Sequence, residues 1–390
     1  MGERLYRATL LAGSTLTVMA GATITPALPA MEEAFAAVPA AAFWVKLALS
    51  LPAIFIALGG PLFGWLLDRW GRRPVLILTV SLYALAGSSG FILPSLAAIL
   101  AGRALLGVAV SGTMTGFTTL IGDGFRGAEL DRFMGLQGAA TALGGVVFLL
   151  LGGLLADVGW RYPFLVYLLS LIVLPGVLSS VREPAKLPPP VPAKTRRTPL
   201  PLRRLLPLYL LAFAGMLAFY LIPTQVAFHL RELGVESNAP VGVAVALMTL
   251  ASAAGSLVYR RLHRRLSSGG IFALNFALMG LGYLILGLAG GYYGALAGLI
   301  IAGGGMGLFL PNLNVRLVGL VPEKLRGRAF GGSTTSLYLG QFLAPILAAP
   351  LVERLDYAGL YLVTGGLMAI GALVGLLLSR KSGGETTPAD

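Results

Sequence analysis

Twelve long apolar runs are the feature of this chain that most restricts its fold. They lie at about 8–30, 43–67, 74–93, 95–122, 131–156, 161–181, 205–230, 240–260, 270–289, 292–319, 328–352 and 357–379. An α-helix of about 20 apolar residues crosses the hydrocarbon core of a bilayer, so twelve spans use roughly 250 of the 390 residues. A membrane β-barrel needs short alternating segments instead. The sequence therefore predicts an all-α integral membrane protein without a separate soluble domain.

The basic residues of the chain predict its orientation. The net charge of +13 would suggest an acidic partner in a soluble protein. However, 24 of the 29 lysines and arginines fall in alternate connections and near the two ends of the chain, as the positive-inside rule requires. We therefore expect a multi-pass protein of the inner membrane with both termini in the cytoplasm, and no nucleic-acid partner. Lys46 and Arg103 remain inside spans.

One long connection divides the chain. Residues 182–204 contain seven prolines among basic residues, a composition typical of an extended linker. We therefore predict an N-terminal six-helix bundle over 1–181, a cytoplasmic linker over 182–204, a C-terminal six-helix bundle over 205–380 and a cytoplasmic tail over 381–390.

The second half repeats the first at an offset of 196 residues. The matched positions are Gly102 and Gly298, Gly107 and Gly303, Arg132 and Arg328, Gly135 and Gly331, and Gly144 and Gly340, while Asp157 meets Glu353. Glycine is abundant here, but five identities at one offset favour duplication over chance. Two pseudo-symmetric halves in parallel orientation are typical of a transporter with its site between them.

The connection after the second span runs Gly64-Trp65-Leu66-Leu67-Asp68-Arg69-Trp70-Gly71-Arg72-Arg73. It resembles the signature cytoplasmic loop of the major facilitator superfamily. The resemblance implies that Asp68 faces the start of helix 11 near Gly327, that Arg72 pairs with Asp123, and that these contacts latch the cytoplasmic side and break when the halves rock. Gly64 would permit close helix approach. The predicted latch comprises Gly64, Asp68, Arg69, Gly71, Arg72, Arg73 and Asp123. A simple orienting loop is the alternative.

Helix 4 carries an arginine deep in the membrane. The segment Gly102-Arg103-Ala104-Leu105-Leu106-Gly107 resembles the Arg-containing helix 4 motif of the same superfamily. A charge at this depth marks a functional candidate, and the resemblance implies proton coupling or substrate contact. The alternative is a structural arginine that caps backbone carbonyls or extends toward the interface.

Helix 5 resembles the signature of drug:proton antiporters in part. Gly135, Gly144, Gly152 and Gly153 fit its glycine pattern, but Phe148 and Leu149 replace the Gly-Pro pair. In the shifted copy of this segment Gly340 and Pro345 are present. Antiport and simple packing of small residues both remain open.

Polar residues in helices 1, 4, 7 and 10, with two from helix 11, are candidates for the central cavity that the resemblance implies. With Arg103 they form this set: Thr25, Thr113, Tyr220, Gln225, Asn312, Asn314, Tyr338 and Gln341. Each is also able to bond a neighbouring helix.

No acidic residue falls near the centre of a span. Proton-coupled pumps usually place a titratable group in the pathway, so the candidates for coupling are Glu32, Glu33, Asp157 and a proton exchanged near Arg103. A cavity without acids suits neutral, amphipathic or anionic solutes better than cations.

The chain lacks the residues of common enzymes. It has no cysteine and none of the motifs of zinc hydrolases, serine hydrolases or nucleotide-binding loops. We therefore expect no enzyme activity, no cofactor and no metal site. The leading hypothesis is a monomeric secondary transporter, an exporter of drugs or amphipathic compounds coupled to protons and working by alternating access in the bilayer. The alternatives are an exporter of a metabolite, sugar or siderophore, an uncoupled facilitator, and a sensor that does not transport.

Overall fold

The computed structural model describes residues 2–181 and 200–382, which form twelve helices. They are α1 (Gly2–Ala34), α2 (Ala41–Trp70), α3 (Arg72–Phe91), α4 (Leu96–Gly124), α5 (Gly127–Val158), α6 (Tyr162–Ser180), α7 (Leu202–Glu232), α8 (Asn238–His263), α9 (Ser268–Gly287), α10 (Tyr292–Leu320), α11 (323–355) and α12 (357–382). Most of the predicted linker and tail lies outside the described residues.

The predicted number of spans is confirmed. Eleven helical runs are long and apolar enough to cross a membrane, and the last of them, Leu325–Leu373, has 49 residues. A straight helix of that length would measure about 74 Å, more than twice a hydrocarbon core of about 30 Å. Asp356, with φ of 60°, interrupts this run and separates α11 from α12. The structure differs from the prediction in that no loop joins these two helices.

The outer surface of the helices is apolar. Large side chains such as Leu58, Leu85, Ile172 and Leu257 are at least two-thirds exposed. Apolar patches of this extent are unstable in water but match the acyl chains of a bilayer. The described chain is therefore a multi-pass membrane protein.

Helix packing reproduces the offset of 196 residues. A Cβ added to Gly107 would lie 2.7 Å from Pro52 Cα, and one added to Gly303 would lie 3.0 Å from the carbonyl carbon of Met248. Positions 52 and 248 are themselves 196 residues apart. The α2–α4 contact of the first half thus recurs as the α8–α10 contact of the second half, so the repeat is structural as well as sequential.

The two halves meet in three regions: α1 against α7, α5 against α8, and α2 against both α11 and α12. We call the end that carries Arg69–Arg73 and Arg260–Arg265 the basic end, and the other end the distal end. The ion pair and most of the hydrogen bonds described below that join the halves lie at the distal end. The molecule is therefore joined distally.

Candidate functional site

Helix α1 is broken where it meets α7. Its first helical segment ends at Ala22, and a short 3₁₀ turn at Thr25–Ala27 precedes the segment Leu28–Ala34. A break leaves carbonyl groups without their usual partners. The carbonyl of Gly21 accepts a hydrogen bond from the Tyr220 hydroxyl at 2.8 Å, across the boundary between the halves. Near the distal end, the Arg231 guanidinium lies 2.7 Å from the Glu33 carboxylate.

Three predicted cavity residues lie at the boundary between the halves near its midpoint. A Cβ added to Gly21 would lie 3.2 Å from the Tyr220 hydroxyl and 3.9 Å from Gln341 Nε2. The Tyr338 hydroxyl donates to the Met114 sulfur at 3.4 Å. Hydroxyl, amide, ring and thioether groups therefore converge here. Met114 was not among the predicted residues, because a lone Met in an apolar span gives no sequence signal.

The other predicted cavity residues are placed differently. Thr25, Thr113 and Gln225 are almost fully buried, and the structure gives their side-chain polar atoms no hydrogen-bond partner in the described part of the chain. Asn312 is buried inside the second half, where its amide donates to the Ser268 carbonyl at 2.8 Å. Asn314 is exposed. The structure does not bring Asn312 and Asn314 to the boundary region that contains Tyr220.

Arg103 is buried inside the first half and is 1% exposed. Its guanidinium donates to the Ala48 carbonyl at 2.7 Å, to the Ala20 carbonyl at 2.9 Å and to the Tyr167 hydroxyl at 2.8 Å. These bonds tie α1, α2 and α6 to α4 and satisfy a carbonyl at the break in α1. This geometry agrees with the alternative prediction, that Arg103 is a structural arginine that caps backbone carbonyls, because all three partners belong to the same half.

At the seam between α5 and α8, one acid of the first half caps a helix of the second. The Asp157 carboxylate accepts hydrogen bonds from the backbone N–H groups of Asn238 and Ala239, at 2.5 and 3.1 Å, and from the Ser237 hydroxyl at 2.8 Å. A carboxylate at a helix N-terminus stabilises it through these N–H groups and the helix dipole. Asp157 therefore joins the halves as well as capping α8.

The same seam has close backbone contact. A Cβ added to Gly153 would lie 3.1 Å from Gly242 Cα, and one added to Gly242 would lie 2.7 Å from the Leu149 carbonyl oxygen. Both distances are shorter than ordinary van der Waals contact, so larger side chains would separate α5 from α8.

The seam between α2 and the α11–α12 pair contains a buried lysine. Lys46 is 6% exposed, and its ammonium donates to the Tyr357 hydroxyl at 2.8 Å. The ammonium also lies 4.4 Å from the ring centroid of Phe228 and 4.7 Å from that of Tyr357. Lys46 stood out in the sequence as a charge inside a span, but its aromatic partners are about 180 and 310 residues away and gave no signal.

At the basic end, the Arg72 guanidinium lies 3.2 Å from the Asp123 carboxylate and 3.6 Å from Asp68. Arg73 donates to the Leu178 carbonyl at 2.6 Å. The Arg69 guanidinium lies over the Trp65 ring. Gly71, which separates α2 from α3, has φ of 95°. These contacts all lie within the first half.

At the basic end, the predicted approach of α2 to the start of α11 is not seen in this conformation, although the two helices are in contact nearer the distal end. A Cβ on Gly64 or on Gly327 would meet no atom within 4 Å. The Arg72–Asp123 pair is nevertheless formed, and both of its residues belong to the first half. That this pair breaks when the halves rock stays a prediction.

Most glycines of the helix 5 pattern and its copy pack against neighbours. Gly144 lies against Thr15, Gly152 against the Thr23 carbonyl and Gly340 against the Phe213 carbonyl, whereas Gly135 has no neighbour within 4 Å of a Cβ. Pro345 lies inside α11. Close helix packing accounts for three of these glycines without reference to antiport.

Two repeated six-helix halves, joined distally and carrying polar groups where they meet at the midpoint, define a membrane transporter. The sequence profile of the Major Facilitator Superfamily matches residues 10–315 and, in a second match, 208–389, so the chain belongs to this superfamily of secondary transporters and is not an enzyme.

Similar proteins support this assignment. The chain is 27% identical over 361 residues to the uncharacterized transporter YhhS of Escherichia coli K12, covering 87% of this chain and 84% of that one. It is 24% identical over 384 residues to the multi-drug resistance efflux pump PmrA of Streptococcus pneumoniae, covering 94% of each. A crystal structure of a D-xylose-proton symporter superposes with a TM-score of 0.77 at 16% identity, over 96% of this chain and 97% of the other.

Proposed function

We propose that this transporter exports a small amphipathic compound, uncharged or anionic, and couples export to proton entry by alternating access. Its basic end faces the cytoplasm, as the distribution of Lys and Arg predicts. In the structure the halves are joined distally while Gly64 and Gly327 have open space around them. This arrangement corresponds to a state that takes up solute from the cytoplasm.

The observation that carries the proposed substrate class is the chemistry of the midpoint. Tyr220, Tyr338, Gln341 and Met114 offer rings, a thioether and hydrogen-bonding groups. Every acidic side chain that the structure describes lies in a connection, at the kink between α11 and α12, or near a helix end. A solute bound at the midpoint therefore meets apolar and neutral polar groups rather than a carboxylate, which favours neutral or anionic amphipathic compounds.

The similarity to PmrA, a multi-drug efflux pump, supports export over import. Proton coupling is supported by the acidic and basic side chains at the distal seams, which include Glu32, Glu33 and Lys46. These groups lie where the environment changes most when the halves rock.

Asp68 remains our candidate for a latch at the basic end. In this open conformation its carboxylate is exposed, 3.6 Å from Arg72. When the basic end closes, Asp68 would face the start of α11. We expect Asp68→Asn to insert and fold normally yet to transport several-fold more slowly; wild-type flux in this variant would exclude the latch.

A binding screen followed by a flux measurement tests the proposed function. We would record the thermal stability of the purified protein with neutral, anionic and cationic amphipathic compounds, because a ligand at a hundred times its Kd stabilises the folded state by about 2.7 kcal/mol. Compounds that bind would be tested in proteoliposomes containing a pH-sensitive dye. We expect neutral or anionic compounds to bind and to drive a change in internal pH. Binding of cations alone would contradict the substrate class, and solute flux without a pH change would contradict proton coupling.

A further inference from the structure

The second half contains an elongated apolar crevice that lies apart from the boundary between the halves. It has a volume of about 460 Å³ and lies among α7, α9, α11 and α12, with residues 211–221 of α7 on one side and residues 360–371 of α12 on another. Among the described residues that line it, Thr364 alone has a polar side chain, and its hydroxyl already donates to the Leu360 carbonyl at 2.8 Å. We call this space the lateral crevice. Its walls suit a hydrocarbon chain.

The mouth of the lateral crevice faces the bilayer. Leu347 and Leu351 of α11 and Leu367 of α12 line the crevice and are exposed, whereas Ala348 and Leu360 line it and are buried. Large apolar side chains that are exposed along a membrane span contact acyl chains. The crevice therefore opens sideways into the hydrocarbon core.

The repeat explains why this crevice forms. In the first half, Gly144 and Gly152 both lie against α1, so that α5 stays close to α1 over two turns of helix. In the second half, Gly340 corresponds to Gly144 and lies against the backbone of α7, but Ala348 takes the place of Gly152. A small residue such as glycine allows two helix backbones to approach closely, and an added methyl group holds them apart. The α7–α11 contact is thus closed at Gly340 and leaves room for the crevice beside Ala348.

The length of the lateral crevice matches one leaflet of a membrane. Residues 360–371 of α12 span about 16 Å at a rise of 1.5 Å per residue, and half of a hydrocarbon core of about 30 Å is about 15 Å. The crevice begins about one turn from the distal start of α12 and continues toward the midpoint of the membrane. It therefore follows the acyl chains of the leaflet at the distal end.

An arginine lies directly beyond the distal end of the crevice. Leu347, Leu351 and Arg354 are spaced by four and three residues, which places them on one face of α11. Arg354 is exposed, and in the part of the chain that the structure describes its guanidinium has no ion pair. The arginines of the other distal connections are occupied, since Arg161 donates to three backbone carbonyls and Arg231 pairs with a glutamate. A guanidinium at this level is able to bind the phosphate of a lipid.

We propose that the lateral crevice binds one phospholipid of the distal leaflet, with an acyl chain between α7, α11 and α12 and the phosphate at Arg354. The surrounding lipid tails are as apolar as the crevice, so the hydrophobic effect contributes little. Binding is favoured instead by the dispersion contacts that an empty crevice would lose and by the charged hydrogen bonds between phosphate and guanidinium. Because Tyr220 and Gln341 belong to α7 and α11, the bound chain supports the two helices that carry these midpoint groups.

Native mass spectrometry of the purified full-length protein tests this proposal, because it counts the lipid molecules that remain bound and yields their Kd by titration. The probe is dioleoylphosphatidylglycerol, added after co-purified lipid has been removed. We expect one molecule to bind about fivefold more tightly than dioleoylglycerol, which has the same chains but no phosphate to meet the arginine. Glycerol phosphate, which has no acyl chain, should not bind.

Two pairs of variants separate the chain from the phosphate. Thr364→Phe fills the centre of the crevice and should weaken the binding of both lipids by about tenfold, whereas Val363→Phe places the same ring at an exposed position outside the crevice and should bind as the wild type does. Arg354→Gln should weaken the binding of phosphatidylglycerol by about fivefold and leave that of dioleoylglycerol unchanged. Glu353→Gln, at the next exposed residue, should not weaken either lipid.

Several outcomes would overturn the proposal. Equal lipid binding by Thr364→Phe and Val363→Phe would exclude the crevice as the site, and equal binding of the two lipids by the wild type would exclude a phosphate contact. A transported amphipathic solute that displaces the lipid one for one, and fails to bind to Thr364→Phe, would make the crevice a solute site instead. Thermal melting and gel filtration would establish that each variant is folded. If Thr364→Phe does not fold, Ala214→Phe, which fills the inner end of the crevice, replaces it, with Ala277→Phe at an exposed position outside the crevice as its control.

Discussion

The two distal seams occupy equivalent places in the repeat, yet they are built from different chemistry. At the repeat offset of 196 residues, Gly242 of the second half corresponds to Lys46 of the first half, and Asp157 corresponds to Glu353. In the α5–α8 seam, Asp157 caps α8, and Gly242 brings two backbones together. In the α2–α11 seam, Glu353 is exposed, α2 begins without a side-chain cap, and a lysine occupies the position of the glycine.

This difference indicates which interactions hold each seam closed. The first is held by backbone proximity and by a carboxylate that is charged at neutral pH, so it is insensitive to pH near 7. The second contains a buried lysine, whose ammonium contacts the Phe228 and Tyr357 rings and donates to the Tyr357 hydroxyl. The two equivalent contacts therefore differ in chemistry, since the first joins two backbones at a glycine and the second buries a cation against aromatic rings.

The largest effect is expected from Gly242→Ala. The added methyl would lie 2.7 Å from the Leu149 carbonyl oxygen, and backbone is unable to move aside as a flexible side chain does. We expect the closed α5–α8 seam to be disfavoured by more than about tenfold, with a matching loss of transport. The measurement is the distance between two spin labels placed by Ile92→Cys and Tyr293→Cys, at exposed side chains near the distal ends of the two halves. Gly366→Ala is the matched control, because a Cβ there meets open space. Equal behaviour of the two variants would refute a steric role for Gly242.

Phe228→Leu should weaken the second seam by about tenfold. It removes the Phe228 ring and its cation–π contact with Lys46, worth about 2 kcal/mol in a buried site, but leaves Lys46 in place. The distance between the two labels should show a larger distally open population. Phe272→Leu is the control, since Phe272 packs against Phe309 within the second half. If both leucine variants increase the distally open population equally, the contact between Phe228 and Lys46 does not stabilise the closed seam.

Asp157→Ala should shift the closed population by about fivefold. The carboxylate is exposed, and loss of a helix cap typically costs about 1 kcal/mol. Glu353→Ala, at the equivalent position, should have almost no effect because Glu353 is exposed and α2 has no side-chain cap. An equal response of the two variants in the distance measurement would show that the seams are not chemically distinct.

Glu33→Gln should have the smallest effect, about twofold or less. The Glu33–Arg231 pair at 2.7 Å has both side chains more than 40% exposed, and such pairs contribute at most about 1 kcal/mol. The shift should disappear in 1 M salt, where screening acts within about 3 Å. A large shift that persists in high salt would instead give this ion pair a main part in distal closure.

The spans and the repeat were predictable because each depends on a one-dimensional property. The length of a helix that crosses the hydrocarbon core depends on counting apolar residues, and the repeat depends on a fixed offset. The Arg72–Asp123 pair was also expected, since the resemblance supplied both partners, and the structure places them 3.2 Å apart.

The direction in which a buried side chain points was not predictable. The depth of Arg103 indicated a special role, but whether α4 turned it toward the cavity or toward Ala20 and Ala48 depended on the rotation of the helix. The environment of Lys46 depended on residues far along the chain and on which conformation the protein adopts. Asn312 shows the same limit, because its amide is turned toward Ser268 within one half.

The capping of α8 by Asp157 also has a consequence for assembly during synthesis. Ser237 at the start of α8 does not cap the helix itself, since its hydroxyl donates to Asp157. The first turn of α8 is therefore completed by a residue that the ribosome incorporates 81 residues before Asn238. Because the N-terminal part of a chain is made first, Asp157 has already been synthesised when α8 enters the membrane. The second half made alone would lack this partner, so the order of synthesis favours assembly of α8 against a finished first half.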